Sequence, residues 1–268
     1  MNSNRFSLFK ILSVSILSSF IVFTSFIGKQ STESGSQRTI VIDAGHGGKD
    51  NGSSGKYSSE KQITLQVALK LGKALENKYP SVNVIYTRTS DVFVDLYKRI
   101  DKANVAKADM FLSIHCNSMP ANSRTRASTD GTESFVSGFG RLKEQDVATR
   151  ENASILLEKN YKKNYDGYDP NDPESIIIFS LLKNSNRDQS IRLARALQKE
   201  YTKVGRFDRG YKEQSLAVLA KAGMPAVLTE IGFISSPRDE EYMNSEYGQN
   251  EIVSCQLKAI ESFLKLSE

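Results

Sequence analysis

The chain has 268 residues, 39% hydrophobic and 25% charged, which suits one globular domain and excludes wholesale disorder or a collagen-like repeat. Its net charge of +5 falls to +2 once Arg5, Lys10 and Lys29 are set apart with the N-terminal segment, too little to argue for a nucleic-acid partner. Two cysteines rule out a disulfide-rich scaffold or a Cys-based zinc cluster, and only His46 and His115 are available for imidazole chemistry.

Residues 1–10 carry Arg5 and Lys10 without an acid, and residues 11–28 are uncharged. That pattern reads as a signal peptide or uncleaved signal anchor over residues 1–30, so the rest is expected to be exported, in the periplasm or cell envelope, with membrane contact only through this segment. Residues 31–37 read as a linker. TIVID (39–43) is a strand feeding the loop AGHGGKDNGSSG, and Ser59 with Gln62 forms a capping box opening a helix to about Asn77. A strand over 82–87, an amphipathic helix over 92–108, and strands over 110–116 and 132–137 follow. Helices are expected over 188–204 and 213–222, a strand over 225–231, and a closing helix over 246–265. This alternation predicts one α/β domain, 38–266, with a twisted, largely parallel (mixed) sheet flanked by helices on both faces. Residues 138–187, rich in charge and Asp-Pro pairs, break the rhythm and read as a turn-rich surface excursion rather than core, or as a regulatory insertion lying over one face of the sheet.

Several chemistries fail on spacing. Gly55-Lys56 is followed by Tyr57, which breaks a P-loop, and Asp50 stands where a dinucleotide fingerprint needs its third glycine. There is no G-x-S-x-G, H-E-x-x-H or C-x-x-C motif. What remains is scattered along the chain. His46 and His115 both lie just past carboxyl ends of predicted strands, where open α/β sheets place their ligands. Two histidines and a carboxylate are a common catalytic zinc set, and Glu60, in the first turn of the helix after the His46 loop, is the best carboxylate. Ordinary readings stay open at this point: Glu60 also complements a helix dipole, and a histidine is more often a hydrogen-bonded residue than a ligand. Glu230 ends PAVLTE, and a buried carboxylate there could act as the base for an attacking water, or simply pair with an Arg or Lys. Cys116 points away from His115 if both lie on a strand. Arg88, Asp91 and Arg99 are expected to tie the second strand to the following helix by ion pairs.

The stretches TIVIDAGHGGKDNGSSG, SEKQITLQVALKLGKAL, VIYTRTSD, RIDKANVAKADMFLSIHCNS, RENASI and RGYKEQSLAVLAKAGMPAVLTEIGFISSP, in this order, resemble the zinc-dependent N-acetylmuramoyl-L-alanine amidases over roughly residues 38–265. The resemblance implies a mixed sheet flanked by helices, one zinc ion per chain held by His46, Glu60 and His115, and Glu230 as the catalytic glutamate. It implies peptidoglycan as substrate: hydrolysis of the amide between the lactyl group of muramic acid and L-alanine, in wall remodelling or daughter-cell separation. Departures, Cys116 after the second histidine and Ser235-Ser236 after the glutamate, touch no implied ligand. No wall-binding repeat is present. Some members carry a helix that blocks the zinc until an activator protein removes it; the equivalent region here is roughly 153–180, with Glu158, Asp166, Asp169, Asp172 and Glu174 as acids able to reach a metal. The rival readings are a catalytically silent peptidoglycan-binding or regulatory module, which should have lost one of the four residues, and a different zinc hydrolase of peptidoglycan, distinguishable by its products.

Overall fold

Side chains alternate between two apolar clusters along β1 (Thr39–Ala44): Ile40, Ile42 and Ala44 face one, and Val41 the other. A strand buried on both sides needs a covering layer on each face of its sheet. In the computed structural model, which describes residues 37–138, 144–165, 168–169, 172–181 and 185–267, that is the arrangement. The expected signal segment and residues 31–36 of the linker lie outside the described residues.

Six strands form one sheet: β1, β2 (Asn83–Tyr86), β3 (Met110–Asn117), β4 (Thr132–Ser137), β5 (Asp208–Gln214) and β6 (Ala226–Phe233), in the order β2-β1-β3-β6-β4-β5. All neighbours run parallel except β4 against β6, so the sheet is mixed, as expected. Helix α1 (Glu60–Lys78) buries Ile63, Val67, Ala68, Leu71 and Leu75, the three-and-four spacing of one helical face. Gln62 accepts a hydrogen bond from the Ser59 N–H, 3.2 Å, in the capping box that the sequence predicts. On the opposite sheet face lies α2 (Leu96–Val105), shorter than the expected 92–108.

The described residues of the segment 138–187 lie over one face of the sheet. They include α3 (Asp146–Asn152), a 3-10 turn over Ala153–Leu157, α4 (Tyr161–Asn164), a second 3-10 turn over Pro173–Ile177 and α5 (Ile178–Leu181). Ile155, Tyr165, Ile176 and Phe179 are buried in the same cluster as Val41 and Phe111, so this segment roofs the second sheet face. Next, α6 (Arg187–Lys203), α7 (Pro237–Asn244) and α8 (Glu246–Leu264) complete the chain, with α1, α6 and α8 packed together on the first face. Among the described residues, no helix is long and apolar enough to cross a membrane.

The helix expected over 213–222 is absent. Strand β5 runs through Gln214, and turns follow at 217–221. Leu216 through Ala220 are all buried, which leaves no solvent face for an amphipathic helix. Asn152 fixes the turn instead, donating to the Ser215 carbonyl at 2.9 Å and accepting from the Ala217 N–H at 2.8 Å.

Candidate metal centre

The alternation that builds the core also builds the site. Residues Asp43, Ser113, His115 and Glu230 fall on the strand positions that face the α2 side, with His115 and Glu230 in register on adjacent strands. Cys116 points the other way, into the first cluster, as its position predicts. The loop after β1 then brings His46 back over the sheet end.

That loop is held by buried arginines. Arg99 donates from Nη1 to Asp43 Oδ1 at 2.8 Å and to the Ala44 carbonyl at 2.7 Å, and from Nη2 to the His46 carbonyl at 2.7 Å. Arg88 donates to the carbonyls of Ala44, Gly45 and Lys61. Asp91 pairs with Lys61 of α1, 2.9 Å apart. The three residues therefore brace the His46 loop, not the junction of the second strand and its helix. His46 adopts φ 59°, a left-handed conformation unusual for a residue with a Cβ. Two glycines are required by close approach. A Cβ on Gly45 would sit 2.6 Å from the His115 ring, and one on Gly52, at φ +64°, would sit 2.5 Å from the ring of His46.

Four buried ligand atoms converge within 4.8 Å of one another, one each from His46, Glu60, His115 and Glu151. His46 Nε2 lies 3.1 Å from Glu60 Oε1 and 3.2 Å from Glu151 Oε2; His115 Nδ1 lies 3.0 Å from each of the same oxygens. Four of the six separations lie close to the roughly 3.3–3.4 Å between ligands of one tetrahedral ion, and none exceeds 4.8 Å, so the cluster could hold a single metal ion. Within the cluster, His46 Nε2 and Glu151 Oε2 are buried without a hydrogen-bond partner, as metal-ligating atoms would be. The other His46 nitrogen, Nδ1, is 2.9 Å from Asp50 Oδ2, the partner that orients an imidazole toward a metal. Glu60 is positioned by the N–H groups of Ser53 and Cys116.

The charges agree with this reading. Burial alone would lower the pKa of His115, but the neighbouring carboxylates Glu151 and Glu60 outweigh it and push the imidazole up to about 9. Burial would likewise raise Glu60, yet the charge of His46 dominates and holds its carboxyl at about 2. A cation bound among these groups would therefore displace protons from the imidazoles.

The carboxylate of Glu151 is the member that sequence reasoning missed. It sits on α3, inside the RENASI motif but just before the region from which an inhibitory acid was expected. Of the expected acids, Glu158 accepts from the Leu96 N–H and the Tyr165 hydroxyl away from the cluster. Asp169, Asp172 and Glu174 belong to turns outside the cluster, and Asp166 lies outside the described residues. Arg150, next to Glu151, reaches Glu230: Nη2 is 3.1 Å from Glu230 Oε1, while Nη1 donates to Asn117 Oδ1 and the Ser118 carbonyl. Burial raises the Glu230 carboxyl well above its usual range, with Arg150 opposing and Glu151 and Glu60 adding to the rise. The 3-10 turn after α3 is latched too. Ser154 donates to Asp50 Oδ2 at 2.5 Å, and Lys49 Nζ donates to the Leu157 carbonyl.

The family model for N-acetylmuramoyl-L-alanine amidases matches residues 40–262. Among curated proteins, the chain is 31% identical over 245 residues to the amidase AmiC of Escherichia coli O6:H1, covering 88% of this chain and 55% of AmiC. It is 30% identical to the endolysin of Bacillus phage SPP1, covering 86% of this chain and 68% of that protein. A crystal structure of an N-acetylmuramoyl-L-alanine amidase from Clostridium difficile 630 superposes with a TM-score of 0.64 at 27% identity, over 87% of this chain and 100% of that one. The chain therefore belongs to the N-acetylmuramoyl-L-alanine amidase family.

Proposed function

We propose that this protein is a zinc-dependent peptidoglycan amidase, exported to the cell envelope, that hydrolyses the amide between the muramic acid lactyl group and L-alanine and is held inactive by α3. The observation that carries the reading is the buried His46–Glu60–His115–Glu151 cluster with Glu230 beside it. His46, Glu60 and His115 would hold the zinc ion, and Glu151 would fill the position that substrate or water needs. When bound, zinc would supply Lewis acidity toward the scissile carbonyl and toward water. Glu230 would take the proton of the attacking water and return it to the leaving alanine amine. In the conformation described, Arg150 occupies Glu230 Oε1 and Glu151 closes the metal site, so an activator that shifts α3 would release both. The relatives' shared substrate supports a role outside the cytoplasmic membrane, in wall remodelling or daughter-cell separation.

The test incubates residues 36–268, a single compact unit, with peptidoglycan, with chelator or added zinc, and identifies products by mass spectrometry. Stem peptides with a free L-alanine amine, dependent on zinc and lost in Glu230→Ala, are expected. Glu151→Ala should raise the rate. Free acetate or cleavage inside the stem would replace this reading with another hydrolase, and an unchanged or lower rate for Glu151→Ala would remove the inhibitory role of α3.

A further inference from the structure

A cavity of about 890 Å³ reaches Arg150, the partner of Glu230, and is lined also by Asn117, Glu133, Arg209, Lys212 and Phe233. A continuous polar chain ties it to the base: Glu230 to Arg150, Arg150 to Asn117, Asn117 Nδ2 to Glu133 Oε2 at 3.3 Å, and Glu133 to Lys212. Arg209 stands apart from that chain. Its guanidinium lies 4.8 Å from the Phe233 ring centroid and 5.2 Å from that of Phe207, and its Nε donates to the Asp130 carbonyl at 2.7 Å. Among the described residues, no hydrogen bond or ion pair engages its two terminal nitrogens. Two parallel N–H donors on a fixed plane are the geometry that grips a carboxylate through both oxygens.

Resting on the amidase reading above, we propose that Arg209 is a specificity-determining residue that reads a carboxylate on the peptide side of the scissile amide. The chemistry of the polymer selects that side. Its sugars are N-acetylated and neutral, and the lactyl carboxyl is consumed in the amide being cut. The nearest anion therefore belongs to the stem, where a second residue joined through its side chain keeps its α-carboxylate free. The geometry agrees. Phe233, on which Arg209 stacks, is three residues beyond Glu230 on β6, or about 10 Å at strand spacing. An alanine plus a side-chain-linked acid spans roughly 7–10 Å. Met119 and Phe233 offer apolar surface for the alanine methyl.

The experiment compares two soluble substrates, N-acetylmuramoyl-L-alanyl-D-isoglutamate and the same dipeptide with that carboxylate amidated, using the zinc-loaded chain and its Glu151→Ala form. The acid should be preferred by about tenfold or more in kcat/KM, expressed mainly in KM, because the carboxylate binds alike in ground and transition states. The ratio between the two substrates should collapse toward one in Arg209→Gln and be partly kept in Arg209→Lys. A wild-type ratio near one, or a ratio that survives Arg209→Gln, overturns the inference; loss of both activities at a constant ratio marks Arg209 as merely structural. If neither dipeptide is cleaved, the amidase reading is what fails, and calorimetry of both dipeptides with the Glu230→Gln chain still decides the subsite. Tighter binding of the acid sustains it, and equal or absent binding overturns it.

Discussion

Replacing Arg99 by leucine tests how the metal loop is held. Its side chain is 1% exposed and pairs with Asp43, also 1% exposed, while three further bonds go to the carbonyls of Val94, Ala44 and His46. Removing one member of a buried ion pair leaves the other charge uncompensated, which costs about 3–5 kcal/mol. In a domain of this size roughly 2–4 °C is lost per kcal/mol, so the midpoint of thermal unfolding should fall by about 6–20 °C. The deficit should depend on pH. Burial would raise the Asp43 carboxyl, but Arg99, Ser113 and Thr87 outweigh it and hold it below the usual value. A depressed carboxyl contributes stability that is present above its unfolded pKa, near 3.9, and is lost as pH falls through the folded value. Without Arg99 burial prevails, the sign reverses, and acid favours the variant. The gap between wild type and Arg99→Leu should therefore be widest near pH 7 and narrow below about pH 5. Chemical denaturation across pH 3–8, with zinc titration at pH 7, is the assay. Zinc affinity should drop by about 10–100-fold, since the clamp on the left-handed His46 backbone is gone. A loss under about 1 kcal/mol, or a deficit independent of pH, would refute the reasoning.

Three further outcomes follow from the same geometry. Gly45→Ala places a Cβ 2.6 Å from the His115 ring and should weaken zinc by about 10–100-fold while circular dichroism stays native; unchanged affinity would show that the ring can move freely. Zinc binding at pH 7 should release about two protons, because both imidazoles are held protonated in the free cluster. Calorimetry in buffers of different ionisation enthalpy measures this, and release below about half a proton would contradict it. Glu240 accepts from the N–H groups of Lys56, Tyr57 and Ser58 and from the Ser58 hydroxyl, so Glu240→Ala should cost about 2–3 kcal/mol and speed amide exchange at those three residues. Exchange unchanged there would mean the loop holds its own shape.

What the sequence made legible was local. His46 follows the end of β1, Glu60 opens α1, and His115 and Glu230 lie in the carboxyl halves of β3 and β6. The last two fall short of the strand ends that the sequence suggested, but a strand–loop–helix reading can approach all four positions without knowing the packing. Strand β5 was not legible, because DRGYKEQ has no apolar alternation; its pairing with β4 is a backbone matter at a sheet edge. Burial of every side chain from Leu216 to Ala220 likewise overrode a local helical preference. The arginines were read as partners for acids, but Arg88 and most of Arg99's donors go to carbonyls of a loop whose path only the fold sets. Glu151 was hidden for a related reason. Its surroundings, EQDVATREN, look like a solvated helix, and its contacts are with residues dozens of positions away.

In the proposed inhibited state, one short helix blocks two parts of the chemistry at once. Arg150 and Glu151 are consecutive, yet one pairs with the base and the other with both histidines. Glu151→Ala should therefore release only part of the activity, since Arg150 still occupies Glu230 Oε1 and the latches at Asp50 and Lys49 still hold the segment. Adding Arg150→Ala should raise the zinc-dependent rate further, by more than the two single changes multiplied, because residues acting as one unit are not additive. An activator faces the same arithmetic. Carrying the helix from one part in a hundred open to ninety-nine takes a preference of about 5.5 kcal/mol for the open form, which a partner can supply by binding the displaced segment. Rates that multiply independently in the double variant would show that Arg150 serves the substrate rather than the lock.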